Sequence, residues 1–221
     1  EKPLHIYGPK EIQQTIEFQL QLTNSELSFP LTFHETNMET ETIFETDQLE
    51  VMTIPLNHRV ACTGFLFREK FRASNIKHEA ISTYQLSVDQ IKAVKAGEDV
   101  TLADGEVIPN NSMIKQKLEA RSYAFCTDTS YLEKIIPTIK DIDLLYHEAT
   151  FTESEKDRAE ETFHSTAKQA AALAKKANAK QLILGHFSGR YADLTILLDE
   201  AKEIFSNTDL ALEQLTFAVG D

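Results

Sequence analysis

From Tyr123 to Phe205 the chain alternates short apolar runs with amphipathic helical stretches, an order that a layered α/β architecture accommodates. Tyr123–Cys126, Ile142–Tyr146 and Gln181–Gly185 are runs of strand length, of the kind that fill a sheet buried on both faces. Thr166 and Gln169 form a capping-box pattern that opens an alanine-rich helix to about Ala177. Leu194, Leu197, Leu198, Ala201, Ile204 and Phe205 then recur at i, i+3, i+4 and i+7 spacing, which predicts a second amphipathic helix. Upstream, Pro9 followed by Ile12, Ile16 and Leu20 predicts a helix with proline in its first turn. Leu49–Leu56 and Gly64–Phe67 predict strands, residues 89–96 a helix stopped by Gly97, and Ala103-Asp104-Gly105 a hairpin turn. With 221 residues and no repeat or low-complexity tract, one large domain is expected.

The polar residues that interrupt this pattern carry the chemistry. His58, Asp128, His147, Glu148, His164 and His186 all fall at the ends of predicted strands or in the loops that follow. In α/β folds such positions converge on a crevice at the carboxyl edge of the sheet. Imidazoles and carboxylates are the ligands that hold catalytic zinc while leaving a position open for water, and a carboxylate can bridge two metals. One histidine after a strand is ordinarily a surface or capping residue. Four histidines and two acids in such positions point instead to a metal or acid–base site.

Other features narrow the setting. No apolar run approaches the length of about 20 residues that spans a membrane, and no secretory signal pattern is visible at the N-terminus. Cys62 and Cys126 lack CxxC spacing, sit among apolar neighbours and read as buried free thiols, which fits a reducing cytoplasm. The net charge of −13 repels a polyanion and, by itself, argues against a nucleic-acid partner. Against that, residues 65–78 concentrate Arg68, Lys70, Arg72 and Lys77 among Phe65, Phe67 and Phe71. This pattern suits phosphate contact and base stacking, and equally a strand with inward phenylalanines and outward cations.

The motifs themselves carry a family resemblance. "HEATF" at 147–151, "HSTAKQAAALAKKA" at 164–177 and "LILGHFSGRY" at 182–191, in that order, resemble the C-terminal motifs of the ribonuclease Z family. "CTDTSY" at 126–131 is similar to its aspartate motif, "PLNHRVACTGFLF" at 55–67 to its central histidine motif, and "KPLHIYGP" at 2–9 to a segment that precedes a helix. The resemblance covers essentially the whole chain and implies a metallo-β-lactamase αββα sandwich. The implied activity is a two-zinc endoribonuclease that trims precursor tRNA and leaves a 3′-hydroxyl, in the cytoplasm and as a homodimer. By position, His58 would bind the first zinc, Asp128 would bridge both and His186 would bind the second. Glu148 and His164 would form a proton shuttle towards the leaving oxygen, with His147 structural and not a ligand. Arg68, Lys70, Arg72 and Arg190 are the candidate substrate contacts.

The chain also departs from the family. The His-x-His-x-Asp-His zinc motif is absent, since no two of the seven histidines lie within two residues of each other. The chain therefore reads as a C-terminal portion of one metallo-β-lactamase-like domain, lacking the N-terminal part. Taken alone it is expected to bind zinc weakly and cleave RNA near background. Residues 65–97 correspond to the family's substrate arm, yet 74–96 contain neither proline nor glycine and so differ from its Gly-Pro-rich tip. Two other classes stay open on the sequence: a hydrolase of small phosphodiesters or esters with the same fold, and a non-catalytic module that folds without metal.

Overall fold

The computed structural model describes residues 2–70, 72–116 and 118–220, arranged as two compact units. In chain order the first elements are β1 (Leu4–Gly8), α1 (Glu11–Leu22), β2 (Leu31–Glu35), β3 (Thr42–Glu45), β4 (Leu49–Pro55) and β5 (Thr63–Glu69). There follow α2 (His78–Thr83), α3 (Val88–Lys95), β6 (Val100–Thr101), β7 (Val107–Ile108) and α4 (Asn110–Met113). The remainder is β8 (Ser122–Cys126), β9 (Leu144–Glu148), α5 (Lys156–Thr162), α6 (Ala167–Lys176), β10 (Gln181–Gly185), α7 (Thr195–Lys202) and β11 (Thr208–Leu210).

The first unit comprises Glu1–Glu45, Glu50–Phe67 and Arg121–Asp221. Its framework is a seven-stranded sheet in the order β11-β10-β9-β8-β5-β4-β3, in which β8, β9, β10 and β11 run parallel. A separate two-stranded parallel sheet pairs β1 with β2. Parallel central strands are covered on both faces, and the expected apolar runs supply that cover: Leu145, Leu182 and Leu184 are fully buried. Alanine dominates the buried side of α6 (Ala167, Ala170, Ala171 and Ala174, with Leu173), joining the core around Leu145 and Leu182. The Thr166–Gln169 capping box that the sequence predicts is formed in both directions. Gly64 is needed where β5 passes β8, because a side chain there would run into the Phe125 carbonyl.

Two boundaries differ from the sequence expectation for a physical reason. The strand expected at Ile142 begins at Leu144, and the helix expected to reach Phe205 ends at Lys202. Ile142 is fully buried, and Ile204 and Phe205 pack against the core without belonging to the regular element. Apolar patterning reports burial, whereas element ends are set by which backbone groups pair. Asp143 shows what intervenes. Its buried carboxylate accepts hydrogen bonds from the Ser122 amide (2.7 Å) and hydroxyl (2.8 Å) and lies 2.6 Å from Lys180 Nζ.

Burial alone would raise the Asp143 pKa, but the Lys180 and Ser122 contacts outweigh it and hold the carboxyl below its usual value. With the folded pKa lowered, the stabilisation is present at neutral pH and is lost as pH falls through that lowered value. Asp143→Ala would strand two buried donors of Ser122. It is expected to cost about 2–3 kcal/mol, read as a lower urea midpoint at pH 7 and a smaller difference from wild type in strong acid.

The second unit, Thr46–Leu49 with Arg68–Ala120, has its own small core of Ala80, Leu86, Val94, Val100, Ile108, Met113 and Ile114. Ser87 and Gln90 close a capping box on α3, and Gly105, at φ 90°, turns the β6–β7 hairpin expected at 103–105. Among the described residues no helix is long and apolar enough to cross a membrane. Both cysteines are free thiols, and burial pushes Cys126 up to about 12.

Candidate active site

Because β8, β9 and β10 are parallel, their carboxyl ends share one edge, and the chain places a functional side chain at each. Asp128 stands two residues beyond β8, Glu148 is the last residue of β9, and His186 follows β10 directly. His58 lies in the loop between β4 and β5, and His164 in the turn between α5 and α6. Asp128 (φ 55°), His186 (φ 57°) and Phe163 (φ 61°) all hold left-handed backbone, which is uncommon for non-glycine residues and collects at functional sites. Phe163 ends α5 in this conformation and so turns His164 inwards.

Glu148 is the fixed point of the site. Its fully buried carboxylate accepts from the Thr129 amide (2.6 Å), the Thr150 hydroxyl (2.7 Å), the Ser165 amide (3.0 Å) and His164 Nδ1 (3.0 and 3.2 Å to its two oxygens). With Nδ1 so engaged, His164 keeps Nε2 for other work. Its ring lies 5.1 Å from that of His58 and 5.2 Å from that of His186.

The remaining histidines are oriented in the same way. His58 Nδ1–H donates to the Phe163 carbonyl at 3.1 Å, which leaves the lone pair on Nε2. Thr150 has one hydroxyl hydrogen and sits 2.7 Å from a Glu148 oxygen that can only accept, so its own oxygen accepts from His186 Nδ1–H at 2.9 Å. The lone pair of His186 is thereby on Nε2, 3.2 Å from Asp128 Oδ1. Two electron-pair donors held face to face are stabilised by a cation between them. The donor set thus fits a metal, and two groups have ligand atoms within 4.8 Å of one another: His58, Asp128 and His164, and Glu148, His164 and His186.

A family model described as the β-lactamase superfamily domain matches residues 1–187. A ribonuclease Z from Bacteroides thetaiotaomicron is 42% identical over 99% of this chain and 69% of its own length. The chain belongs to the ribonuclease Z family. Another member, from Cytophaga hutchinsonii, is likewise 42% identical, over 99% of this chain and 70% of its own length. Among solved structures, the short form of human tRNase Z aligns with a TM-score of 0.64 at 21% identity, covering all of this chain and 70% of that one. The Bacillus subtilis metallo-β-lactamase fold protein YhfI aligns with a TM-score of 0.60 at 16% identity, covering 99% of this chain and 66% of that one. At those identities the structures establish the fold, which is the metallo-β-lactamase fold expected from the motifs.

Seen as a ribonuclease Z family site, the cluster gathers His58, Asp128, Glu148, His164 and His186 but not His147. That residue is fully buried, with Nδ1 donating to the Glu148 carbonyl (2.8 Å) and Nε2 without a hydrogen-bond partner among the described residues. Burial pushes its pKa down and keeps the ring neutral. Arg190 lies against Glu155 (Nη1 to Oε2 2.7 Å) and 5.0 Å over the Phe151 ring, which in turn meets His164 edge-on. Arg68, Lys70 and Arg72 belong to the second unit, where Lys70, Arg72 and Lys95 line a 270 Å³ pocket; Phe71 lies outside the described residues. Sequence reasoning missed the supporting shell of Thr129, Thr150, Phe163 and Ser165. Its only signal was position: three of the four lie inside the motifs quoted for their neighbours.

Proposed function

We propose that this chain contributes the catalytic edge of a zinc-dependent endoribonuclease that cleaves precursor tRNA and leaves a 3′-hydroxyl on the tRNA. The observation that carries this reading is the orientation of His164. Nδ1 is fixed on a fully buried Glu148, Nε2 has no hydrogen-bond partner among the described residues, and the ring stands between those of His58 and His186. His58, Asp128 and His186 are the residues that would hold zinc, with Asp128 the bridge, since it groups with His58 and also faces His186. Bound there, zinc supplies positive charge against a phosphate and acidifies water. The chain's own residues do the rest. Glu148 holds the His164 ring, and His164 Nε2 gives a proton to the ribose O3′ as its bond to phosphorus breaks; water forms the new bond to phosphorus and releases one proton to solvent, from which His164 regains its own. Zinc held there would offset part of the overall −13 charge where the RNA must approach. The free thiols suit a reducing cytoplasm, and the family resemblance implies a homodimer.

The test measures cleavage of a 3′-extended tRNA transcript by the chain, both alone and joined to the part of the Bacteroides thetaiotaomicron ribonuclease Z that it does not match. The joined protein is expected to release a tRNA ending in a 3′-hydroxyl and to lose activity on chelation. Turnover of a chromogenic phosphodiester without competition by tRNA would favour a hydrolase of small substrates.

A further inference from the structure

A cavity of 290 Å³ in the first unit is lined by residues of the loops that carry His58 and Asp128. Asn57 lines it and immediately precedes His58; Leu132 and Lys134 line it and follow the Asp128 loop. The two loops are bolted together. The Asn57 amide donates to Thr129 Oγ1 (3.1 Å), the Ser130 amide to the Asn57 carbonyl (2.9 Å) and Asn57 Nδ2 to Ser130 Oγ (2.6 Å). The Thr129 amide is itself a donor to Glu148, so whatever occupies the cavity sits at a fixed offset from the acid–base pair.

Its lining is mixed in a particular way. Met38, Leu56, Leu132 and Ile135 give aliphatic walls, while Lys134 makes no ion pair and the Thr138 hydroxyl no hydrogen bond among the described residues. Apolar walls with a few uncommitted polar groups are the make-up of a small-molecule site, and the volume is at the lower end of that range, about 300 Å³. That suits one flat heterocycle and not a base pair.

We propose that this cavity is a nucleobase subsite, taking one unpaired nucleotide of the RNA next to the scissile phosphate, with Lys134 directed to an adjoining phosphate. The inference rests on the ribonuclease reading above. An unstacked base can enter such a cavity only from a single-stranded segment, so the subsite reads the strand beyond the acceptor stem and not the stem itself.

The experiment compares binding of the zinc-supplemented joined protein described above to two fluorescein-labelled acceptor-stem hairpins, one with a single-stranded 3′ extension and one blunt. Wild type should bind the extended hairpin more tightly. Thr138→Trp, which fills the cavity, should weaken the extended hairpin about tenfold and leave the blunt one unchanged. Lys134→Ala, at an exposed position outside the catalytic cluster, should weaken the extended hairpin a few-fold and flatten its salt dependence. It keeps the test decisive if the tryptophan variant does not fold. Equal losses on both hairpins, or no loss with Lys134→Ala, would overturn the subsite alone. Failure of wild type to bind either hairpin would sink the ribonuclease reading and the subsite with it.

Discussion

Replacing His164 with alanine in the joined protein, in which the other variants below are likewise measured, is expected to slow RNA cleavage by about 10²–10⁴-fold, the range lost with a general acid. The measurement that gives this number meaning is zinc content. His164 falls in both groups of side chains that could hold a metal, so proximity alone does not separate a proton donor from a ligand. Its hydrogen bonding favours the donor. Nδ1 lies between both Glu148 oxygens, and a carboxylate holding one imidazole nitrogen orients and polarises the other. If that is its work, His164→Ala loses rate and keeps its metal; a variant that loses zinc in proportion to rate assigns His164 to the metal shell instead. Glu148→Gln makes a companion test. The Thr129 and Ser165 amides and His164 Nδ1 all donate into this group. An amide in its place must turn its own NH₂ against at least one of them, leaving a buried donor unpaired. Rate should fall at least a hundredfold, because His164 loses the carboxylate that orients its ring.

The sequence carried the framework of this site and little of its fine geometry. Gln181–Gly185 was legible as a strand to the residue, and Tyr123–Cys126 to within one, because buried parallel strands must be apolar throughout. Asp128 and His186 were legible because each breaks such a run at its carboxyl end. Their left-handed backbone was not legible, since aspartate and histidine adopt it only where tertiary contacts over-determine the turn. His164 shows the same limit. It follows a helix and not a strand, and what places it is Phe163, whose carbonyl also orients His58 from 105 residues away. The four donors around Glu148 come from three separate loops, and no periodicity links residues 129, 150 and 165. The parallel pairing of β1 with β2 across an intervening helix was not legible either, because alternation such as Leu31-Thr32-Phe33-His34 marks a strand without naming its partner.

Asp128→Ala is expected to remove more zinc than either His58→Ala or His186→Ala, and to abolish cleavage. The order follows from where the carboxylate stands. It groups with His58 on one side and lies 3.2 Å from His186 Nε2 on the other, whereas each histidine borders the cluster from one side only. Losing a shared anion should weaken both halves of the site and leave their cations less shielded, while losing one imidazole weakens mainly its own half. Backbone strain complicates the alanine variant. At φ 55° the backbone is left-handed, and alanine there adds about 1–2 kcal/mol. Asp128→Asn separates the two effects. Asparagine accepts the same backbone and keeps one oxygen, but carries no charge, so its zinc content should fall below wild type without any change in the unfolding midpoint of the metal-free protein. Retention of two zincs per chain by Asp128→Ala would remove Asp128 from the metal shell. In that event Asp128 is an ordinary strand-end carboxylate.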